Sequence, residues 1–429
     1  MIMKKRFYAC IYLYKQKAVK NLNDVTVLSE DPVELALSYD SSNIDALIIF
    51  DMSKGDQEHE ASLDLIKEIC SKVECDVYGA GNIKRMEDVK KLLYAGCNKA
   101  ILNYELPSNV EITQEVSQKF GKDKILACFQ RLETIADHVK KAEEYISGYL
   151  LLNVHIVREV GELSKIPCIV FINQIALNKM MEIVSLENVF GITGNSINDN
   201  IGEILSLKDL CKQNDLDVEE FSPAFAWKDL KLNSDGLIPV VVQDYRTLEV
   251  LMVAYMNEQA YEDTLHTGKM HYYSRSRQTQ WLKGETSGHF QHVKSLTADC
   301  DLDTILAKVN QIGVACHTGA RSCFFNEIAK KDYELPENPL QVFEDVYGVI
   351  KDRKVHPKEG SYTNYLFDKG LDKILKKLGE EATEIVIAAK NPNPNEVKYE
   401  ISDFLYHMMV LMAERGITWE EITTELSNR

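Results

Sequence analysis

The first 220 residues alternate short apolar runs with amphipathic segments, and this alternation limits the possible fold more than any other feature of the chain. After a first strand predicted within MIMKKRFYACIYLYKQK, the apolar runs are ALIIFD (46–51), CDVYGAG (75–81), KAILN (99–103), KILACF (124–129), GYLLLN (148–153), PCIVFIN (167–173) and VFGITG (189–194). Strands that alternate with helices in this way pair in parallel. The pattern therefore predicts a (β/α)8 barrel over residues 1–220.

Beyond residue 220 the pattern changes twice. Residues 221–328 hold strand-like runs with few helices between them, which predicts a compact β-rich central domain. The polar, proline-bearing stretch AKKDYELPENP (329–339) indicates a linker. Residues 338–429 carry only helical patterns, with NPNPN between the last two long ones, and predict a small all-α domain.

Composition excludes several classes of protein. A net charge of −17 argues against a general nucleic-acid or membrane surface. No stretch approaches 18 apolar residues, so no membrane span is expected, and the N-terminus lacks the features of a signal peptide. The ten cysteines lack the density of a disulfide scaffold, which favours a reducing, cytoplasmic compartment.

Residues 299–324, DCDLDTILAKVNQIGVACHTGARSCF, concentrate potential metal ligands. On a strand, Asp299, Asp301 and Asp303 would share one face. Three carboxylates on one face repel one another unless a hard divalent cation lies among them, so we expect a magnesium site. A calcium loop is disfavoured because Thr304 occupies the position that such a loop reserves for glycine.

The same segment offers three thiols, from Cys300, Cys316 and Cys323. Three cysteines without an obvious fourth ligand favour a catalytic zinc, which keeps one position open for water. His317 could complete a structural zinc site, but its place directly after Cys316 suits proton transfer better. Both alternatives remain open at this stage.

These motifs, with EVLMVAYMNEQA (249–260) and YYSRSRQTQWLKGETSGHFQHV (272–293), resemble phosphoribosyl-AMP cyclohydrolase of histidine biosynthesis over roughly residues 225–326. The resemblance implies zinc on the three cysteines, magnesium on the three aspartates, and a homodimer whose interface shares the zinc site. It also implies the reaction. A water activated by zinc would attack C6 of the substrate's adenine ring and open the N1–C6 bond.

Several residues of the segment 272–293 are candidates for substrate binding. Arg275 and Arg277 would lie on one face of a strand, beside Lys283 and Ser287, where they could hold phosphates. His289 belongs to the same segment. The alternative is an exposed charged hairpin without a ligand.

The helical domain carries two pairs of carboxylates. Glu381 and Glu384 are one turn apart, as are Glu400 and Asp403. An antiparallel hairpin about NPNPN would bring the two pairs to the same height. Four facing carboxylates predict a magnesium cage that clamps a pyrophosphate and orients an attacking water, with Glu384 as a catalytic candidate. The alternative is a solvated helix face.

Residues 340–429, including EGSYTNYLFDKGLDKILKKLGEEATEIVIAAKNP, resemble phosphoribosyl-ATP pyrophosphohydrolase. The two resemblances imply a bifunctional enzyme that converts phosphoribosyl-ATP to phosphoribosyl-AMP and pyrophosphate and then opens the purine ring. One rival is a general nucleoside triphosphate pyrophosphatase with a structural zinc module. The other is a barrel-based scaffold protein without catalytic activity.

Residues 1–218, through YACIYLYKQKAVK and NIKRMEDVKKLLYAGCNKAILN, resemble the cyclase subunit of imidazole glycerol phosphate synthase, a (β/α)8 barrel. Tyr12 and Phe129 stand where that family has aspartates, and neither can act as a carboxylate. GAGNI (79–83) keeps part of one phosphate loop, but FINQI (171–175) replaces a Gly-Gly stretch of another. We therefore expect a degenerate barrel whose surface serves self-association or another histidine-pathway enzyme.

Overall fold

The computed structural model of the chain describes residues 4–329, 341–392 and 394–427. The chain forms two compact units, Met1–Glu327 and Ile328–Arg429. The linker predicted at 329–339 falls almost wholly outside the described residues, and the domain boundaries at 220/221 and 328/338 stay predictions.

The N-terminal region is a closed parallel barrel with helices outside it, as predicted. Its strands are β1 (Arg6–Tyr14), β2 (Lys17–Asn21), β3 (Asp24–Ser29), β4 (Ala46–Asp51), β5 (Asp76–Ala80), β6 (Lys99–Asn103), β7 (Ile125–Phe129), β8 (Gly148–Leu151), β9 (Cys168–Phe171) and β10 (Val189–Thr193). Its helices are α1 (Pro32–Asp40), α2 (Asp56–Lys72), α3 (Met86–Tyr94), α4 (Pro107–Phe120), α5 (Leu132–Tyr145), α6 (Val157–Leu163), α7 (Leu177–Val184), α8 (Asn195–Asn198) and α9 (Ile204–Gln213).

Eight parallel strands, β1 and β4 to β10, close the barrel, because β10 pairs with β1 through Arg6–Gly191 and Phe7–Ile192. Strands β2 and β3 extend β1 as an antiparallel hairpin. The strands are buried on both sides, which is why they appear in the sequence as continuous apolar runs.

The barrel interior is filled by side chains up to its C-terminal mouth. The ring of Tyr12 stacks on Phe50 at 5.4 Å, and Phe50 contacts Phe171 edge-on at 6.3 Å. Phe129 instead lies on the helix side of β7, packed against Tyr104 and outside the interior cluster. The interpretation of Phe129 as the replacement of an aspartate facing the mouth is therefore wrong, whereas Tyr12 does face it.

The central region is β-rich, as predicted. Its elements are β11 (Ile238–Asp244), β12 (Val250–Met256), α10 (Glu258–Thr267), β13 (His271–Ser274), β14 (Thr279–Leu282), β15 (Gln291–Ala298) and β16 (Ile305–Gln311). Four strands form a sheet in the order β12-β11-β16-β15, and β13 and β14 form a separate hairpin. Its core includes Val240, Met256 and Tyr272.

The C-terminal unit is helical, with α11 (Gln341–Val355), α12 (Tyr362–Lys369), α13 (Leu371–Ala388), α14 (Pro394–Arg415) and α15 (Trp419–Ser427). Helices α13 and α14 pack along each other, and the predicted turn between them includes Asn393, which lies outside the described residues. Tyr347, Leu366 and Val410 lie in the core of this unit. Among the helices that the structure describes, none is both long enough and apolar enough to cross a membrane.

Candidate active sites

A tight loop after β16 positions the second of the three predicted zinc ligands. The backbone N–H of Cys316 donates to Ala320 O, and that of Ala315 donates to Arg321 O, both at 3.1 Å. Gly319 has a φ of +89°, which L side chains rarely adopt, so it allows this reversal. The loop thus folds back on itself and buries Cys316.

Cys323 is placed beside Cys316 by the edge of the sheet. Its N–H donates to Leu251 O on β12 at 2.7 Å. Hydrogen bonds from the Thr318 hydroxyl and backbone lower the pKa of the Cys316 thiol. Burial, together with the neighbouring Cys316, raises the pKa of Cys323. Two thiols of unequal acidity therefore share one site, which suits a soft divalent metal.

Cys300 does not join them within one chain. It is exposed, in the turn between β15 and β16. The sulfur atoms of Cys300, Cys316 and Cys323, all in the described part of the chain, do not form a group within 4.8 Å. His317 is also exposed, with Nδ1 at 3.9 Å from Cys316 Sγ. A single chain therefore brings together two of the three predicted zinc ligands.

The three aspartates lie in a turn and not on a strand, so the strand interpretation is wrong. The carboxylate of Asp299 accepts from the N–H groups of Asp303 and Thr304 at 3.0 and 3.1 Å, and Leu302 has a φ of +63°. This turn nevertheless brings one oxygen each of Asp299, Asp301 and Asp303 within 4.8 Å of one another. The acceptor-only donor set fits a hard cation.

Arg275 and Arg277 also lie in a turn, between β13 and β14, and not on a strand face as predicted. The guanidinium of Arg275 lies 3.8 Å from the centroid of the Tyr255 ring, and that of Arg277 lies 5.8 Å from Trp281. These side chains line an open groove of about 520 Å³ beside the edge strand β12. Cationic and aromatic walls suit a phosphorylated nucleotide.

The other predicted substrate-binding residues lie outside the lining of this groove. Lys283 is buried, and its Nζ donates to Ala315 O at 2.8 Å. Ser287 is exposed and accepts from the N–H of His289 at 3.2 Å. The half-buried ring of His289 packs on Gly313, where a Cβ atom would lie 2.5 Å from it. These contacts explain local structure, and substrate binding by the three residues stays a prediction.

The helical unit brings three of its four predicted carboxylates together. One oxygen each of Glu381, Glu384 and Glu400 lies within 4.8 Å of the others. Desolvation raises the pKa of Glu400, and the charges of Glu384, Glu381 and Asp403 raise it further. Asp403 is therefore close enough to raise the pKa of Glu400, although Asp403 itself lies outside the group of three carboxylates. Carboxylates that repel one another in this way can be relieved by a divalent cation.

A buried histidine behind this group was missed in the sequence. His407 Nδ1 lies 2.9 Å from Asp403 O and 3.6 Å from Glu381 Oε1, while its Nε2 shares a hydrogen bond of 3.0 Å with the Tyr362 hydroxyl. The spacing of four residues from Asp403 and seven from Glu400 places His407 on the same helix face, and could have identified it. His407 therefore lies within ion-pair distance of the Glu381 carboxylate.

Family comparisons divide the chain along the same lines. Residues 252–325 match the family described as phosphoribosyl-AMP cyclohydrolase, which covers the groove and both metal-ligand turns. Residues 343–429 match phosphoribosyl-ATP pyrophosphohydrolase, which covers the helical carboxylates. Residues 6–146, within the barrel, match the family described as histidine biosynthesis protein.

Curated relatives match about half of the chain. A histidine biosynthesis bifunctional protein HisIE of Thermoanaerobacter pseudethanolicus is 56% identical over 46% of this chain and 97% of its own length. Its counterpart in Caldanaerobacter subterraneus is 52% identical over 47% of this chain and 97% of its own length. The protein of the same name in Bacillus subtilis is 47% identical, over 47% of this chain and 95% of itself.

Proposed function

The chain belongs to the family of histidine biosynthesis bifunctional proteins, and on that premise we propose that it performs two consecutive hydrolyses in two separate units. The helical unit is a phosphoribosyl-ATP diphosphatase that releases pyrophosphate. The central region is a phosphoribosyl-AMP cyclohydrolase that opens the purine ring of the product. The observation that carries the proposal is that each matched region contains its own group of metal-ligand side chains.

In the helical unit, Glu381, Glu384 and Glu400 would hold magnesium, with Asp403 beside them. Magnesium, when bound, neutralises phosphate charge and orients the attacking water. The Tyr362 hydroxyl holds the ring of His407, which lies 3.6 Å from the Glu381 carboxylate. Water then adds to the α-phosphorus, the α–β anhydride bond breaks, and pyrophosphate leaves.

In the central region, Cys316 and Cys323 would hold zinc, with the third thiolate supplied by Cys300 of a second copy in a homodimer. Zinc, when bound, supplies an activated water for attack on C6 of the purine. His317 is exposed beside Cys316 and can carry the proton that reaches N1 as the N1–C6 bond breaks. The aspartate turn would hold magnesium.

The substrate-binding surface is the groove beside β12. Tyr255 and Trp281 offer faces on which a purine can stack, and Arg275 and Arg277 offer charge for the phosphates. Lys283 lies outside the groove, where its ammonium group donates to Ala315 O and so anchors the loop that carries Cys316.

The barrel, in this proposal, has no cyclase activity. Tyr12 fills the mouth at the end of β1, and its hydroxyl donates to Asn195 Oδ1 at 2.9 Å. The stacked aromatic side chains of Tyr12, Phe50 and Phe171 occupy space that a substrate would need. None of these three aromatic side chains can act as a carboxylate base.

The proposal is tested by supplying purified protein with phosphoribosyl-ATP and, separately, with ATP. We expect pyrophosphate release from phosphoribosyl-ATP, followed by the absorbance change of the ring-opened product, and little release from ATP. Equal turnover of both substrates would identify a general nucleotide pyrophosphatase. Absence of either reaction from a folded, metal-supplied protein would favour the scaffold alternative.

A further inference from the structure

The barrel contacts the central region through loops at the N-terminal ends of its strands, opposite to its mouth. Asn43, in the loop between α1 and β4, donates through Nδ2 to Thr267 O at 2.5 Å. A second hydrogen bond runs from the central region to the barrel, where Lys269 Nζ donates to Ser41 O at 2.5 Å. In barrels of this type the N-terminal face contributes to stability and the C-terminal face to chemistry.

A carboxylate of the barrel joins two strands of the central sheet. Glu74, in the connection from α2 to β5, accepts from Lys294 on β15 through Oε2 and from Asn310 on β16 through Oε1. The side chains of Glu74 and Lys294 are only 16% and 33% exposed, so water screens this ion pair less than one at the open surface. One residue thus spans the two adjacent strands.

The sheet is irregular where Glu74 meets it. Val293 pairs with Val309 and Ser295 pairs with Lys308, so Lys294 is an extra residue between two regular pairs. Such a bulge bends the strand and re-aims a side chain. The bulge thus lies at the residue that contacts the barrel. In a regular strand the side chain of Lys294 would point in a different direction.

Strand β15 is also an edge of its sheet in the part of the chain that the structure describes. An open edge can template aggregation, but the first residues of this edge are paired within the central region, through Val293 N–H to Gly268 O and Met270 N–H to Gln291 O. Here the barrel side is acidic and the sheet side basic. The negative charges of Asp40 and Glu74 favour the protonated form of His292, and the charge of Asp40 also favours that of Lys269. The two surfaces are complementary in charge as well as in contact.

We propose that the barrel acts as a brace for the cyclohydrolase region within the same chain: Glu74 clamps β15 to β16 towards the end of their ladder that lies away from the turn of Asp299, Asp301 and Asp303, and so keeps the ladder paired. The turn joins these two strands at the opposite end of the ladder, after the pair Ala298–Ile305, so fraying that spreads along the ladder from Lys294 and Asn310 would loosen the turn and separate its carboxylates. The inference rests on the proposed function only for what the turn binds. In this proposal the barrel has a structural role through its N-terminal face, opposite to the filled mouth.

The test uses the full chain and hydrogen–deuterium exchange, which needs neither activity nor metal. In Glu74→Lys, amides of residues 291–311 should exchange at least about ten-fold faster, while those of β4 and β6 keep their rates. The combined Glu74→Lys and Lys294→Glu variant should recover protection, because the ion pair is restored with its charges exchanged. Glu74→Gln, which keeps an acceptor for Asn310, should give a smaller loss.

Glu68→Lys is the matched control, since Glu68 lies on the preceding helix and pairs with Lys72 of the same helix. Its exchange in residues 291–311 should equal that of the parent chain. Unchanged exchange in Glu74→Lys, or no recovery in the swapped variant, overturns the brace. A chain that shows the exchange pattern but opens no purine ring would instead contradict the proposed function, so the two failures are distinguishable.

Discussion

The ammonium group of Lys283 donates to the carbonyl oxygen of Ala315, the residue immediately before Cys316, at 2.8 Å. Burial lowers the pKa of Lys283, while the nearby thiols of Cys323 and Cys316 oppose that shift. A buried cation at this place fixes the loop and faces the charge that develops on deprotonated thiols. Lys283 is thus a positioning residue beneath the predicted zinc site.

Lys283→Met should therefore weaken zinc binding and ring opening together, by about 10–100-fold, the usual effect of losing an outer-shell partner. Zinc affinity is measured by competition with a chelator, and ring opening by absorbance. Lys308→Met, on β16 of the same region, is the control and should change neither quantity. A Lys283→Met protein with raised KM for phosphoribosyl-AMP but normal zinc affinity would show that this lysine binds substrate instead.

The barrel could be predicted from sequence because its strands are buried on both sides, so that ALIIFD (46–51) and KAILN (99–103) coincide with β4 and β6. The turns that carry Arg275 and Asp299 could not be predicted in the same way. SRSRQTQ contains no glycine or proline to mark a reversal at Arg275, and the turn at Asp299–Asp303 depends on Leu302 adopting a left-handed conformation. The serines and aspartates of these segments are common in turns, but they do not by themselves distinguish a turn from a polar strand.

The candidate sites were predicted unevenly for a related reason. Helical spacing is regular, so Glu381, Glu384 and Glu400 could be placed together from the sequence alone. The meeting of Cys316 and Cys323 depends on backbone bonds to β12, and no spacing rule anticipates these. Phe129 was misjudged because a shift of one residue on a strand exchanges the two faces.

Cys316→Ala should abolish ring opening and leave pyrophosphate release largely intact. The thiol loop and the helical carboxylates belong to separate units, so loss of one metal site leaves the other untouched. We expect at least about a 100-fold loss of ring opening and accumulation of phosphoribosyl-AMP. Cys70→Ala, a half-buried barrel cysteine, is the control and should keep both activities. Joint loss of both activities in a folded Cys316→Ala protein would refute the two-site assignment.

Glu384→Gln should block pyrophosphate release and spare the ring opening of supplied phosphoribosyl-AMP. Glutamine keeps the size of the side chain but removes a charge that holds magnesium, so release should fall by roughly 100-fold or more. Glu380→Gln is the control, because Glu380 pairs with Lys376 and Lys377 and lies outside the carboxylate group. Normal pyrophosphate release by Glu384→Gln would identify the carboxylates as a solvated helix face.

Asp51 should make barrel stability depend on pH. Burial raises the pKa of Asp51, but hydrogen bonds from His59, Ser53 and Asn82 lower it by a larger amount. The net pKa therefore lies below the ordinary value of 3.8. Because the unfolded chain then binds the proton more readily, this stabilisation is complete above about pH 4 and is lost as the pH falls through the folded pKa.

Asp51→Asn should consequently destabilise the barrel at pH 7 by about 1–3 kcal/mol, the usual range for a buried charged hydrogen bond. The difference from the parent chain should shrink below pH 4. Calorimetric unfolding of both proteins between pH 3 and 7 measures it. A difference that stays constant over this range would show that the Asp51 side chain stabilises the barrel through packing and not through its charge.

Deletion of residues 1–220 should preserve both chemical steps but affect them unequally. About half of this chain covers 95–97% of the length of the curated relatives, so what remains of those relatives is too short to form such a barrel. Pyrophosphate release should therefore keep the rate of the full chain. Ring opening should persist but require a higher magnesium concentration, and the melting temperature of the central region should fall, because Lys294 and Asn310 lose Glu74. Steady-state rates, light scattering and thermal melts of the truncated and full chains compare these effects. Complete loss of ring opening in a soluble truncated protein would assign the barrel a part in the chemistry, whereas a truncated protein of unchanged thermal stability would remove the case for a brace.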